Sequence, residues 1–324
     1  MATPDQDKFA AFTRRDLVYS TVKGHNLYAA VLVPKSLRFQ ASRPHPVLVH
    51  WHGGGFVTGH RTYAPWWSRW SLQLALAHDA IIVSPDYRLI PESSGEDVLS
   101  DVARFWNWLA DDLPSVALQE GWDVVPDLAR ITTYGSSSGG FLAVQSALLA
   151  PKTLGIRAVI SVSAPFYTGH GSQGLVPMPR MIFGAWPPPP REAEKCIREY
   201  IRAMKPGVIR SESDPADSWD LLLSIIQQAW VPRLLDVQKN KRLDVIKLLD
   251  TLETMPPMWI IHGEEDSVVP AAGSQTFVNA MREKLPDVPI HVTIRPGNHG
   301  FELGLGLEEH WVRNGCRFVE QYWP

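Results

Sequence analysis

The sequence predicts a mostly parallel α/β sheet covered on both faces by helices, and three observations carry that prediction. Short β-branched runs alternate with helical patterns along most of the chain. The later runs are apolar throughout, without the alternation of a half-exposed strand, as strands buried on both faces require. Hydrophobic residues make up 45% of the 324 and charged residues 20%, an ordinary globular balance. About eight strands are expected, in a single domain spanning 1–324.

Taken in order, Leu17–Val22 and Leu27–Pro34 come first, joined by a polar link, Lys23-Gly24-His25-Asn26, that reads as a hairpin and gives the sheet an antiparallel start. Strands then follow at Pro46–Trp51, Ala80–Ser84, Arg130–Tyr134, Arg157–Ser163, Pro257–His262 and Ile290–Ile294. Between them, 3.6-residue periodicity predicts helices over Trp66–Ala77, Asp97–Leu113, Gly139–Ala150, Ala271–Leu285 and Leu307–Tyr322. No internal repeat is present, which excludes solenoids and propellers.

The alternation breaks over about 165–255. This stretch opens with Gly169-His170-Gly171-Ser172-Gln173-Gly174 and then carries four prolines, Pro187–Pro190, which can neither continue a helix nor pair in a sheet. Three helical patterns follow. Ala193, Ile197, Tyr200, Ile201 and Met204 share a face, Trp219–Trp230 is mostly apolar, and Val245, Leu248, Leu249 and Leu252 repeat at helical spacing. An insert this long is expected to be a helical lid over a binding site.

Composition excludes several functions. With 31 basic and 34 acidic residues the net charge is −3, so no global positive field would attract nucleic acid. No apolar run nears the roughly 20 residues that span a bilayer, so no stable membrane insertion is expected. The polar start, Met1 to Phe12, does not read as a secretory leader, and a cytoplasmic location is expected. Cys196 and Cys316 read as ordinary thiols rather than a disulfide framework, and no Cys/His cluster suggests a metal site.

Three motifs carry chemistry. Gly135-Ser136-Ser137-Ser138-Gly139 fits G-x-S-x-G between a predicted strand and a predicted helix, the context in which a strained turn exposes a nucleophilic serine. His52-Gly53-Gly54-Gly55-Phe56 follows another strand, and its glycines free backbone N–H groups to point at a developing oxyanion. An acid and a base should then follow in that order. Asp266 and His299 each lie just after a strand's carboxyl end, where open α/β sheets place their sites. Glu264 and Glu265 compete with Asp266, and His310 competes with His299.

With these motifs and Asp86-Tyr87-Arg88-Leu89-Ile90-Pro91-Glu92, the chain resembles the α/β hydrolases, specifically the hormone-sensitive lipase-like esterases and most of all their fungal members, from about Pro46 to the C-terminus. The resemblance implies an α/β-hydrolase fold and the triad Ser137, Asp266 and His299. It implies an oxyanion hole from the N–H groups of Gly54, Gly55 and Ser138, no cofactor and no metal. It also implies that the Tyr87 segment buttresses the oxyanion loop, beside a helix carrying Asp101 and Trp108. Homodimerisation through the edge strand or last helix is a further family habit. One departure is plain: the family usually has Asp-Ser-Ala where this chain has Ser136-Ser137-Ser138.

The expected reaction is serine-dependent cleavage of a hydrophobic, bulky carboxylic ester, of the kind found in secondary metabolism. The alternatives are a thioesterase, lactonase or acyltransferase releasing a polyketide-type product, or a non-catalytic small-molecule receptor on the same fold. Of the 13 tryptophans, Trp51, Trp66, Trp67, Trp70, Trp186, Trp219 and Trp230 fall in segments expected to surround Ser137, which predicts a large aromatic-walled pocket. His52, Phe56, Trp186 and Trp219 are its candidate lining residues.

Overall fold

Eight strands form one sheet in the order β1-β2-β4-β3-β5-β6-β7-β8. They are β1 (Phe12–Val22), β2 (His25–Pro34), β3 (Pro44–Trp51), β4 (Ile81–Pro85), β5 (Val125–Ser136), β6 (Ile156–Val162), β7 (Met258–Gly263) and β8 (Ile290–Arg295). This computed structural model describes residues 8–39, 43–119, 124–166, 181–184 and 186–323. β1 and β2 pair antiparallel, as do β2 and β4, and every later pairing is parallel. The predicted four-residue hairpin link is in fact two residues. Lys23 (φ +50°) and Gly24 (φ +81°) both take the left-handed conformation that tight hairpins use, so His25 and Asn26 already belong to β2.

Alternate residues of the central strands feed two separate cores. Val47, Val49, Met258 and Ile260 face one side, with α2 (Gly95–Asp111), α4 (Ser138–Leu149) and α9 (Ala272–Lys284) packed over them. Leu48, Ile82, Trp259 and Ile261 face the other, under α1 (Arg69–Ala77) and α10 (His310–Glu320). The capping box of Ser94 and Asp97 moves the start of α2 ahead of its predicted position. A short α3 (Leu113–Gln119) follows that periodicity did not predict.

Between β6 and β7 lie α5 (Pro190–Ala203), α6 (Pro215–Gln227), α7 (Val231–Leu234) and α8 (Val245–Leu248). The proline run ends where α5 begins, with Pro190 as its first residue, a position whose N–H needs no helical partner. The helix predicted from Val245 to Leu252 is not continuous. α8 stops at Leu248 and Leu249–Thr251 tightens into a 3-10 turn, which buries Leu249 and leaves Leu252 extended. The glycine-rich opening of the insert, Gly169 to Gly174, lies outside the described residues. The insert is tied to the rest of the fold at many points, among them Tyr200 with Glu92, Ser218 with Thr58 and Arg242 with Glu96. Gly59 and Ser213 form an antiparallel bridge, with N–H···O contacts of 2.9 and 3.0 Å. Arg210 donates to the Val57 and Ile90 carbonyls at 2.6 and 2.9 Å and pairs with Glu92 at 3.1 Å. No helix among the described residues is long and apolar enough to cross a membrane.

Candidate active site

Ser137 sits at the junction of β5 and α4 with φ +57° and ψ −126°, a conformation that a non-glycine residue rarely adopts. The turn is pinned by Ser137 N–H to the Val162 carbonyl (2.8 Å) and by Gly140 N–H to the Ser137 carbonyl (2.9 Å). The flanking glycines are required by contact. A Cβ on Gly135 would lie 2.2 Å from the Gly139 carbonyl oxygen, and one on Gly139 would lie 2.0 Å from that of Trp51.

The loop after β3 runs directly against this turn. A Cβ on Gly53 would stand 3.0 Å from the Ser136 carbonyl oxygen and 3.5 Å from the Ser137 Cβ. Gly54 (φ +107°) closes a tight turn in which its carbonyl accepts from Val57 N–H (2.9 Å) and Thr58 N–H (3.1 Å). Gly54, Gly55, Ser137 and Ser138 border one cavity with His299.

That loop is held from behind. Tyr87 donates its hydroxyl to the His52 carbonyl at 2.8 Å, and its ring stacks on the imidazole with centroids 4.3 Å apart. Ile90 N–H reaches the Phe56 carbonyl at 2.9 Å. The side chain of Arg88, the residue after Tyr87, donates to both Asp101 oxygens, at 3.0 and 2.8 Å, and fastens this segment to α2.

His299 and Asp266 meet at 2.7 Å, Nδ1 to Oδ2. The other Asp266 oxygen accepts from the N–H groups of Val268 and Val269, both at 2.8 Å. Burial alone would disfavour the carboxylate. The nearby His299, the hydrogen bonds from His262 and His299 and the Val269 N–H outweigh it and hold Asp266 well below the usual carboxylate range. An ionised Asp266 can only accept, so His299 carries its proton on Nδ1 and keeps the Nε2 lone pair free. The two loops are laced together by Asn298 Oδ1, which accepts from Ser267 N–H (2.8 Å) and His299 N–H (2.7 Å), and by Glu265, which takes the Gly297 N–H at 2.5 Å. Glu265 therefore supports the His299 loop, Glu264 is exposed, and His310 is exposed at the start of α10.

The cavity has a volume of about 140 Å³, and its walls are mainly apolar, including Trp66, Phe183, Leu222, Ile226 and Val269. Three of these come from the insert, so its helices roof the space above Ser137. The four candidate lining residues are not among those bordering it. His52 is buried behind the loop, and burial pushes its imidazole down to about 3. Phe56 is turned into the core against Tyr87 and Phe141. Trp186 is 69% exposed at the surface. Trp219 stands one layer back, packed on Phe183, whose ring meets His299 edge-on at 5.5 Å. Of the seven tryptophans expected around Ser137, Trp66 alone borders the cavity among the described residues, and Trp51, Trp67 and Trp70 are core residues. Three buried polar residues on the cavity wall, His50, Ser163 and Glu302, carried no motif. The one available hint was that Glu302 follows His299 by three positions.

Residues 48–178 match a family model described as an alpha/beta hydrolase fold. A protein of a Phoma species, named a probable carboxylesterase, is 47% identical over 324 residues, covering 100% of both chains. A non-reducing polyketide synthase of Acremonium egyptiacum is 24% identical over 93% of this chain, which corresponds to 15% of the synthase. Among solved structures, an esterase of Pyrobaculum calidifontis superposes with a TM-score of 0.61 at 18% identity, covering 96% of this chain and 86% of that one.

Proposed function

The chain belongs to the α/β-hydrolase family and is a carboxylic ester hydrolase, and from that premise we propose that Ser137, His299 and Asp266 cleave the ester through an acyl-serine intermediate. His299 Nε2 takes the Ser137 proton as the hydroxyl oxygen attacks the ester carbonyl. Asp266 holds the tautomer this requires and stabilises the imidazolium that forms. The oxyanion is received by the N–H groups of Gly54, Gly55 and Ser138, each contributing about 3 kcal/mol to the transition state. The alcohol departs with the proton from His299, and water repeats the sequence to release the acid.

The observation that carries this reading is the 2.7 Å Asp266–His299 contact beside a cavity shared with the strained Ser137 turn. The mainly apolar walls of the cavity, among them Trp66, Phe183, Leu222 and Ile226, support a hydrophobic acyl group.

A second reading keeps the same steps but takes a thioester or lactone of a polyketide-type product. It is supported by the similarity to a segment of a fungal polyketide synthase. Ser137→Ala is expected to bring hydrolysis of a short-chain aryl ester down to background, a loss of about 10⁶-fold. A fluorophosphonate is expected to label wild type and not the variant. Retained turnover in the variant would refute the assignment. Oxygen esters and thioesters of one acyl group, compared side by side, separate the two readings.

A further inference from the structure

Glu302 is fully buried on the cavity wall, three residues beyond His299 on the same loop. Its Oε1 accepts from Ser68 Oγ at 3.3 Å and from Ser136 Oγ at 3.4 Å. Ser68 Oγ also bonds the Tyr134 hydroxyl at 2.7 Å, and that hydroxyl lies 3.4 Å from Ser136 Oγ. The four groups close a polar ring beneath the nucleophile turn. It joins the residue that precedes α1, two residues of β5 and the loop after β8. Three of its four contacts, at 3.3–3.4 Å, are long for O–H···O hydrogen bonds, as is common in sites that tighten only around substrate.

The second carboxyl oxygen, Oε2, is equally buried and has no hydrogen-bond partner among the described residues. Burial raises the carboxyl above its ordinary value, and the nearby His299 only partly offsets this. A half-satisfied buried acid is costly compared with a well-packed apolar side chain of similar size. Such a cost persists where function needs the group. The residue before the nucleophile is also a serine here, so the turn has no acid of its own.

We propose that Glu302 is a positioning residue for hydrolysis: by holding Ser136 it fixes the turn that carries Ser137 relative to His299, on whose loop it rides. This rests on Ser137 and His299 being nucleophile and base. Glu302 acts through an acceptor oxygen on a serine hydroxyl, so an amide oxygen in the same place does the same work.

The test uses Glu302→Ala, Glu302→Gln, Ser136→Ala and the double variant Glu302→Ala/Ser136→Ala in the full chain. It measures kcat and KM on a short-chain aryl ester and the rate of fluorophosphonate labelling. Displacing a reacting group by a fraction of an ångström costs about 10- to 100-fold. Glu302→Ala is therefore expected to lose that much in kcat and in labelling rate, with KM within about threefold. Glu302→Gln is expected to stay within about fivefold of wild type. Because Glu302 acts through Ser136, the double variant is expected to be no worse than Glu302→Ala alone.

The inference is overturned if Glu302→Ala keeps wild-type kcat, if Glu302→Gln falls as far as Glu302→Ala, or if the two losses multiply. Should Glu302→Ala fail to fold, Ser136→Ala decides: a lowered kcat at unchanged KM supports the inference, and wild-type kcat overturns it. The two levels separate cleanly. Wild type that resists labelling, or Ser137→Ala that keeps turnover, defeats the nucleophile assignment. Equal labelling of wild type and Glu302→Ala defeats only the role of Glu302.

Discussion

Asp266 has a part in the proposed chemistry and a separate effect on stability. Its folded-state carboxyl is held well below the usual range, so the native state binds fewer protons than the unfolded chain as pH falls. The stability it confers is fully present above the unfolded value, about 4, and is lost as pH drops below it toward the native value. Urea unfolding of wild type and Asp266→Asn across that range is expected to show a gap that is widest near neutrality and closes below about pH 4. Asp266→Asn should also lose about 10⁴-fold in kcat, because the amide favours the wrong His299 tautomer. A gap that stays constant with pH would refute the ionised assignment. The proposed triad of Ser137, Asp266 and His299 could be put forward from the sequence because such chemistry imposes a fixed order and a strand-end location. Glu302 could not, because a lone glutamate acquires meaning only when folding buries it beside Ser136. His52 and Phe56 were misplaced for a related reason. They flank the glycines in sequence, but the turn at Gly54 sends both side chains away from the cavity.

Among the elements, α2 and the Tyr87 segment show how a motif without its own chemistry can still matter. Arg88 and Asp101 are both buried and joined by a two-pronged contact, and Asp97 accepts a further bond from Arg88 at 2.6 Å. Removing the cation strands Asp101 as a buried acid. Arg88→Met is expected to destabilise the fold by about 3–5 kcal/mol, while Arg88→Met/Asp101→Leu recovers most of the loss. Chemical denaturation of both variants checks this, and a mild single variant would show that Asp101 finds another partner. The sheet strands and the long helices were readable from periodicity, whereas α8 was not. The spacing of Val245, Leu248, Leu249 and Leu252 fits a helix, but burial of Leu249 is met by a tighter turn. Periodicity reports which side chains turn inward and not how many turns keep α geometry.

At the scale of the molecule, the cavity is a joint product of two parts. The sheet supplies Ser137, His299 and the glycine loop, and the insert supplies Phe183, Leu222 and Ile226. Leu222 is almost fully buried, with its Cδ1 3.0 Å from where a Cβ on Gly55 would lie. Leu222→Ala is expected to raise kcat/KM for an octanoyl ester relative to a butyryl ester by about tenfold. It should also cost about 2–4 kcal/mol of stability. Acyl-chain profiling tests the first expectation, and an unchanged profile would mean that Leu222 does not bound the acyl group. The tryptophan count misled at this scale. Six of the thirteen are fully or almost fully buried structural residues, and composition cannot tell a wall from a core.

β6 and β7 are hydrogen-bonded neighbours, yet about 95 residues of chain separate them. Closing a loop costs entropy that grows only with the logarithm of its length, so a gap of this size costs about 1 kcal/mol more than a crossover of about 30 residues. The length of the insert is therefore nearly neutral in itself, and what an exchange would forfeit is packing, because Ile197, Leu222, Ile225 and Trp230 belong to the same core as the helices over the sheet. The roof over Ser137 is free to vary in length but constrained in the apolar face it turns toward the sheet.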